Sequence, residues 1–213
     1  MNVRNIVSGI YIYGAGAHGR VIADSALRGG FRNLTFIDDQ ARVSRLQGFP
    51  VLAADVISPS NWIGQPVIVA IGSNLARARI FRQLLEWGAV PTSIIDPTSI
   101  IAPSVTIGAG SFLAPGVVIN NGASVGANCI VNTRASVDHD CVLGDHTQVS
   151  PGVCLAGNVD LGELVMIGVG AVIVPGRRVG RNTVVGAGAV VTRDLGEGVT
   201  AWGVPARRIR PVS

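Results

Sequence analysis

This sequence predicts two folds joined in one chain. A small α/β domain with a Rossmann-like parallel sheet is expected over residues 1–94, and a parallel β-helix of hexapeptide repeats, closed by a C-terminal cap, over residues 95–213. Three observations lead there. Residues 9–90 alternate strand-like and helix-like pieces separated by glycine turns. From Ile95 onward an aliphatic residue returns at every sixth position. The composition has 28 glycines, 48% hydrophobic residues and only 5% aromatics, which suits a narrow core of small and branched side chains.

In the first part, "IYIYGAGAHGRVIADSALRGG" reads as a buried strand, a glycine turn and a helix closed by Gly29 and Gly30. "LTFIDDQ" is a second strand ending in two acids, and "PVIVAIGSN" a third, followed by the helix "LARARIFRQLLEWG". Gly14, Gly16 and Gly19 have G-x-G-x-x-G spacing, and Asp38–Asp39 stand where a ribose-binding acid would follow. NAD is one ligand that this allows. A domain of about 85 residues, however, supplies only one mononucleotide half of a dinucleotide fold, which suits a nucleotide sugar.

In the second part, every sixth residue from Ile95 to Val191 is aliphatic, seventeen in succession with no insertion. Four residues after each comes mostly a small side chain, as at Ser99, Ser111, Ala123, Cys129, Ala135, Cys141 and Thr147. A period of six belongs to a parallel β-helix, in which each hexad forms one short side of a coil and stacks on its equivalent. Glycine, Asn and Asp fit the corners, where unusual φ is needed. Cys129 and Cys141 fall in the inward slot two hexads apart, on different faces, so no disulfide is expected. Arg177 stands in a small-residue slot, so either the coil loosens there or the side chain turns out.

The segment "VDHDCVLGDHTQVS" holds two of the three histidines. His139 lies near a coil corner and should face outward, and a carboxylate beside it can raise its basicity. Strand alternation would put Asp138 on the opposite side from His139. A zinc site of three histidines is the rival reading, but His139 and His146 alone are too few, so no metal is expected. The net charge of +4 comes from 17 arginines with no lysine, spread along the chain. A nucleic-acid partner is therefore not expected, and a phosphorylated ligand would account for some of the arginines. "MNVRNIVSGIYIYGAG" carries Arg in its apolar run and does not read as a secretory leader, and no apolar run is long enough to cross a bilayer. A cytoplasmic enzyme is the expectation.

The hexads, "YIYGAGAHG", "FIDD" and the closing "WGVPAR" together resemble the left-handed β-helix acyltransferases. Within them, the chain is similar to bacterial nucleotide-sugar N-acetyltransferases acting on 4-amino-4,6-dideoxy sugars, a group that includes sialic-acid O-acetyltransferase-like proteins. The resemblance covers nearly the whole chain. It implies three hexads per coil, acetyl-CoA as cosubstrate and a homotrimer with active sites between subunits. The implied reaction is acetyl transfer to the amine of a nucleotide-linked sugar, UDP foremost and dTDP or GDP also allowed. Sugar or sialic-acid O-acetylation is the alternative, and a non-catalytic nucleotide-binding scaffold a more distant one. His139 would be the general base and Asp140 its helper, with Asn132 and Thr133 also facing the substrate. Gly16, Ala17 and His18 would approach sugar and phosphates, Asp38 and Asp39 base and ribose, and Gly72 with Asn74 would close the pocket. Gln148, Gly157, Val169, Ala187 and Arg207 would meet acetyl-CoA, and the Gly157 amide is the strongest candidate to stabilise the oxyanion. One departure matters. The family commonly carries a second His nine residues after the base, where this chain has Gln148; His146 lies two residues earlier.

Overall fold

A computed structural model describes residues 9–211, in two compact units that divide after Pro97. Residues 1–8, on which half of the leader reading rests, lie outside the described residues. The first unit runs β1 (Gly9–Tyr13), α1 (Ala17–Arg28), β2 (Asn33–Asp38), β3 (Arg45–Leu46), β4 (Phe49–Ala53), β5 (Pro66–Val69), α2 (Asn74–Glu86) and β6 (Val90–Pro91). Its sheet order is β3-β4-β2-β1-β5-β6, with β1 parallel to both β2 and β5. The strand order reverses between β2 and β5 on either side of β1, and in such sheets ligands bind outside the carboxyl ends of the strands at that reversal. Ile10, Ile12, Phe36 and Ile68 are buried in this sheet, and α1 buries Ile22, Ala23 and Ala26. The β3–β4 hairpin was not expected from the sequence. Its two turn residues, Gln47 and Gly48, have φ of 50° and 83°, the signs a two-residue primed turn requires.

The second unit is a left-handed parallel β-helix. Two-residue strands pair at a spacing of 18, so Val118, Ser136, Cys154, Val172 and Val190 stack in one column. Eighteen residues make three hexads per coil and give the prism three faces. The aliphatics point inward as read, from Leu113 through Val191, each 3% exposed or less. The first hexads differ: Ile101 and Ile107 are only half-buried because no coil precedes theirs. Ile95 is turned out, and Ile94 beside it takes the buried place.

The small-residue slot has a polar logic of its own. Ser111, Cys129, Cys141 and Thr147 each donate from the side chain to a carbonyl fifteen residues on: Gly126, Gly144, Ala156 and Gly162. These bonds, at 2.9–3.2 Å, satisfy buried hydroxyls and thiols while tying one coil to the next corner. Arg177 resolves as an outward side chain in an intact coil. Arg178 and Val179 pair with Asp160 and Leu161 in register, while the Arg177 guanidinium reaches Asp194 at 3.5 Å. The last coil is two residues short, with Val185 opposite Ala201, and Val199–Trp202 closes it by pairing antiparallel with Arg207–Pro211.

Leu161 is 1% exposed in the middle of the prism. Leu161→Ala should cost about 2–5 kcal/mol, read from the urea midpoint, because stacked coils cannot collapse to fill the space.

Candidate active site

At the carboxyl ends of β1 and β2 the first unit forms a crevice. Gly14 has φ of +119°, and a Cβ there would meet the Ala70 carbonyl at 2.7 Å; a Cβ at Gly19 would strike the Gly14 carbonyl. Those two glycines are required by packing. Gly16 and Gly72 are different: added Cβ atoms there would meet nothing within 4 Å. Glycine where the fold does not demand it leaves backbone open to an approaching ligand. Gly16 caps α1 without a side chain, so the first N–H groups of that helix, from Ala17 on, form an anion-attracting terminus. A cavity of about 270 Å³ opens beside it, lined by Ala15, Gly16, Asp38, Arg42 and Val51. A larger groove of about 720 Å³ lies toward α2, between Tyr13, Trp62, Arg79 and Trp87. The helix terminus and the open Gly16 backbone both border the smaller cavity.

The two acids have structural work there as well. Asp38 accepts the Ala15 amide at 2.8 Å and the Gln40 amide at 2.9 Å, one on each carboxylate oxygen. Asp39 accepts the Tyr13 hydroxyl at 2.5 Å; burial, with that bond, pushes the phenol well above its usual range. Burial, and then the neighbouring Arg77, pull the His18 imidazole down to about 4, so it is neutral at pH 7. Arg77 itself escaped the sequence reading. It is 1% exposed and donates to the Ile71 carbonyl at 3.1 Å and to Asn74 Oδ1 at 2.8 Å, fixing the loop that carries Gly72 and Asn74. The signal was available: Arg77 lies in step with buried Ile80, Phe81 and Leu84, on the apolar face of α2.

In the second unit, every sixth residue from Gly110 to Gly188 has φ between +52° and +74°. Asp140 holds one of these corner positions, with φ of 57°. That conformation turns its carboxylate back so that Oδ2 lies 2.9 Å from His139 Nδ1, with the ring and the acid both about half exposed. The hydrogen bond to Asp140 raises the imidazole pKa above its ordinary value, and the charges of Asp138 and Asp140 add to it. Nδ1 facing the acid leaves Nε2 to accept a proton. The corner is shaped for this pair by glycine on both sides. A Cβ at Gly157 would come 2.4 Å from His139 Nε2, and one at Gly122 would come 2.4 Å from Asp140 Oδ1. The Gly157 amide makes no hydrogen bond among the described residues, so an oxyanion could use it.

Asp138 does not point away as strand alternation suggests. Its Oδ1 turns back to accept the amide of the next residue, His139, at 2.8 Å. His146 is buried. It is 8% exposed and its Nδ1 faces the Asn128 side chain at 2.9 Å, at a different corner from His139.

The remaining sequence candidates fall on other parts of the prism. Thr133, Val169 and Ala187 are separated by multiples of eighteen and so line one edge; His139 and Gly157 line the next. Asn132 stands at the first of these edges, its side-chain oxygen accepting the Thr133 amide at 2.8 Å. Gln148 is half-buried on a face, between Ile130 and Met166, with Oε1 buried and lacking a partner among the described residues. Arg207 is exposed in the closing strand. One chain therefore gathers His139, Asp140 and Gly157, and does not bring Thr133, Val169 or Ala187 to them.

The packing at Gly157 generates a direct test. Gly157→Ala should displace the exposed imidazole from Asp140, and histidine NMR should show the His139 pKa fall back toward its ordinary value. The thermal midpoint should move little, because the ring can swing into solvent.

The model of the PglD N-terminal domain family matches residues 9–84. The GDP-perosamine N-acetyltransferase of Escherichia coli O157:H7 is 32% identical over 211 residues, covering 93% of this chain and 95% of that one. The acetyltransferase domain of PglB from Neisseria gonorrhoeae FA1090, solved with acetyl coenzyme A, superposes with a TM-score of 0.88 at 34% identity, over 94% of this chain and 98% of that one. PerB from Caulobacter crescentus, solved with CoA and GDP-perosamine, does so with a TM-score of 0.89 at 37% identity, over 95% and 98%. With relatives matched along nearly its whole length, this chain belongs to the nucleotide-sugar N-acetyltransferases, enzymes of the hexapeptide-repeat acetyltransferase family.

Proposed function

We propose that the protein transfers the acetyl group of acetyl-CoA directly to the 4-amino group of a nucleotide-linked 4-amino-4,6-dideoxy sugar. The observation that carries the reading is the His139–Asp140 pair held at an outward corner between Gly122 and Gly157. His139 Nε2 takes a proton from the amine as its nitrogen attacks the thioester carbon. The tetrahedral oxyanion meets the Gly157 amide, and its collapse expels the CoA thiolate, which is then protonated. No acyl-enzyme is required when amine and thioester are held together. Sequence resemblance favours a UDP sugar. The E. coli and Caulobacter relatives are named with GDP-perosamine, and their similarity runs the length of the chain, so a GDP-linked substrate is the form proposed here. The same names favour an amine over a hydroxyl acceptor.

In this reading residues 1–94 hold the nucleotide sugar and residues 95–213 hold acetyl-CoA. The anion-attracting start of α1, the open backbone at Gly16 and Gly72 and the Arg77-braced loop support the first assignment. A homotrimer is proposed with it. The base edge and the Thr133–Val169–Ala187 edge lie apart within a chain, and a threefold assembly can set one beside the other. The outward residues between those edges include the exposed Cys154 and Val172 with half-buried Val118 and Val190, an apolar stripe suited to burial between copies.

Two measurements test this. In thermal shift against GDP, UDP, dTDP, CMP, NAD and CoA, a nucleotide at 100 times its dissociation constant should stabilise by about 2.7 kcal/mol. GDP and CoA should each act, and stabilisation by NAD alone would defeat the assignment. His139→Ala should lower turnover roughly 100- to 10,000-fold. The base must be neutral, so wild-type activity should appear as pH rises through a His139 pKa lying above 6.5. Asp140→Asn removes the chief cause of that rise, so the acid limb should move to lower pH.

A further inference from the structure

We infer that Asn120 and Asp138 form a positioning pair for the base, one coil reaching up to fix the backbone and the local charge of the histidine on the next. This rests on the reading of His139 as general base. Asn120 lies eighteen residues before Asp138, so the two stack in one column, and its Nδ2 donates to Asp138 Oδ1 at 2.9 Å. The same oxygen accepts the His139 amide at 2.8 Å. The chain of contacts thus runs from a side chain on the preceding coil, through a carboxylate, to the main chain of the base itself. A surface aspartate without such a partner would lose side-chain entropy to hold this geometry. Here the amide of Asn120 selects the rotamer.

The neighbouring contacts point the same way. Asn121 Oδ1 accepts the Ser104 hydroxyl at 2.6 Å, Ser104 Oγ accepts the Gly122 amide at 3.0 Å, and the Asn121 carbonyl accepts the Asp140 amide at 3.0 Å. The preceding corner is therefore braced from below before it braces the catalytic one. The Asn120 bond, and then the His139 amide, hold Asp138 below the usual carboxylate range, which keeps its charge present over the working pH. Asp138 and Asp140 are the charged groups acting on the imidazole. The corners packed above and below it bring Asn121, Gly122, Gly157 and Asn158, none of which titrates near neutrality.

Three variants separate pin from charge. Asp138→Asn retains an oxygen for both bonds and removes only the charge. Asn120→Ala removes only the pin, and Asp138→Ala removes both. The readouts are kcat, the KM for acetyl-CoA, and the His139 titration followed by NMR in histidine-labelled protein, with urea midpoints as a check on folding. Asn120→Ala should lower kcat roughly 3- to 30-fold, the span of a modest coupling, and leave the KM for acetyl-CoA within about twofold. Asp138→Asn should lower the His139 pKa and move the acid limb of the rate profile to lower pH, with kcat on the plateau changed least. Asn120→Ala should cost nothing further when Asp138 is already Ala. An unchanged kcat in Asn120→Ala, or an equal loss in both backgrounds, would overturn the pair. Failure of the base assignment looks different: His139→Ala would keep near-normal turnover while the NMR titration still responded to Asp138→Asn.

Discussion

The left-handed residue at every sixth position is the constraint on which the rest of the second unit depends. An L side chain in that region costs roughly 1–2 kcal/mol, so glycine and asparagine occupy it most often. The coil accepts this cost because the tight corner lets a two-residue strand repeat against its equivalents eighteen residues away, with an aliphatic side chain directed inward each time. Strands stacked in this way lie about 4.8 Å apart, so each corner meets the corners above and below at close range. That spacing is why Gly122 and Gly157 must lack side chains next to Asp140 and His139. It is also why Asn120, eighteen positions before Asp138, can reach the carboxylate beside His139. The same geometry that makes the core regular makes an outward corner a precise place to hold two polar side chains.

Asp140 takes the corner conformation without being glycine or asparagine, as Arg134, His146 and Leu164 also do. At Asp140 the strain has an evident return, since the left-handed φ brings the carboxylate back over Nδ1 of its neighbour. His146 uses the same conformation inwardly, against Asn128, which removes it from the surface around His139.

Much of this was legible in the sequence because periodicity records a physical repeat. The hexad register from Leu113 to Val191 followed from aliphatics alone, as each must face the axis. The catalytic candidate was legible because a histidine between two acids at a corner is exposed by construction. What escaped depends on contacts that no local pattern encodes. The turn of Asp138 back onto the His139 amide overrides strand alternation, because at a corner the next residue is no longer in a strand. The β3–β4 hairpin escaped because its first strand has two residues and its turn uses Gln47 in a conformation usually left to Asn or Gly. Arg77 was not singled out within "LARARIFRQ", although its helical phase puts it with Ile80 and Leu84. The resemblance narrowed the acceptor and cosubstrate further than residue chemistry could, and the likeness to the E. coli and Caulobacter proteins moved the expected nucleotide from UDP toward GDP.

Gln148 shows how one substitution reshapes the acid–base behaviour of such a site. A histidine there would place a second titratable group on the acyl side, and the rate would then depend on two proton equilibria that influence one another. Glutamine offers a hydrogen-bond donor and an acceptor that do not change with pH. Its Oε1 is buried without a partner among the described residues, a state that is costly unless a donor arrives, whether from a ligand or from another copy of the chain. His18 is neutral throughout the relevant range, because burial and Arg77 hold it near 4. The His139 pKa is raised first by its hydrogen bond to Asp140 and then by the charges of both flanking acids, one of which the coil beneath keeps in place.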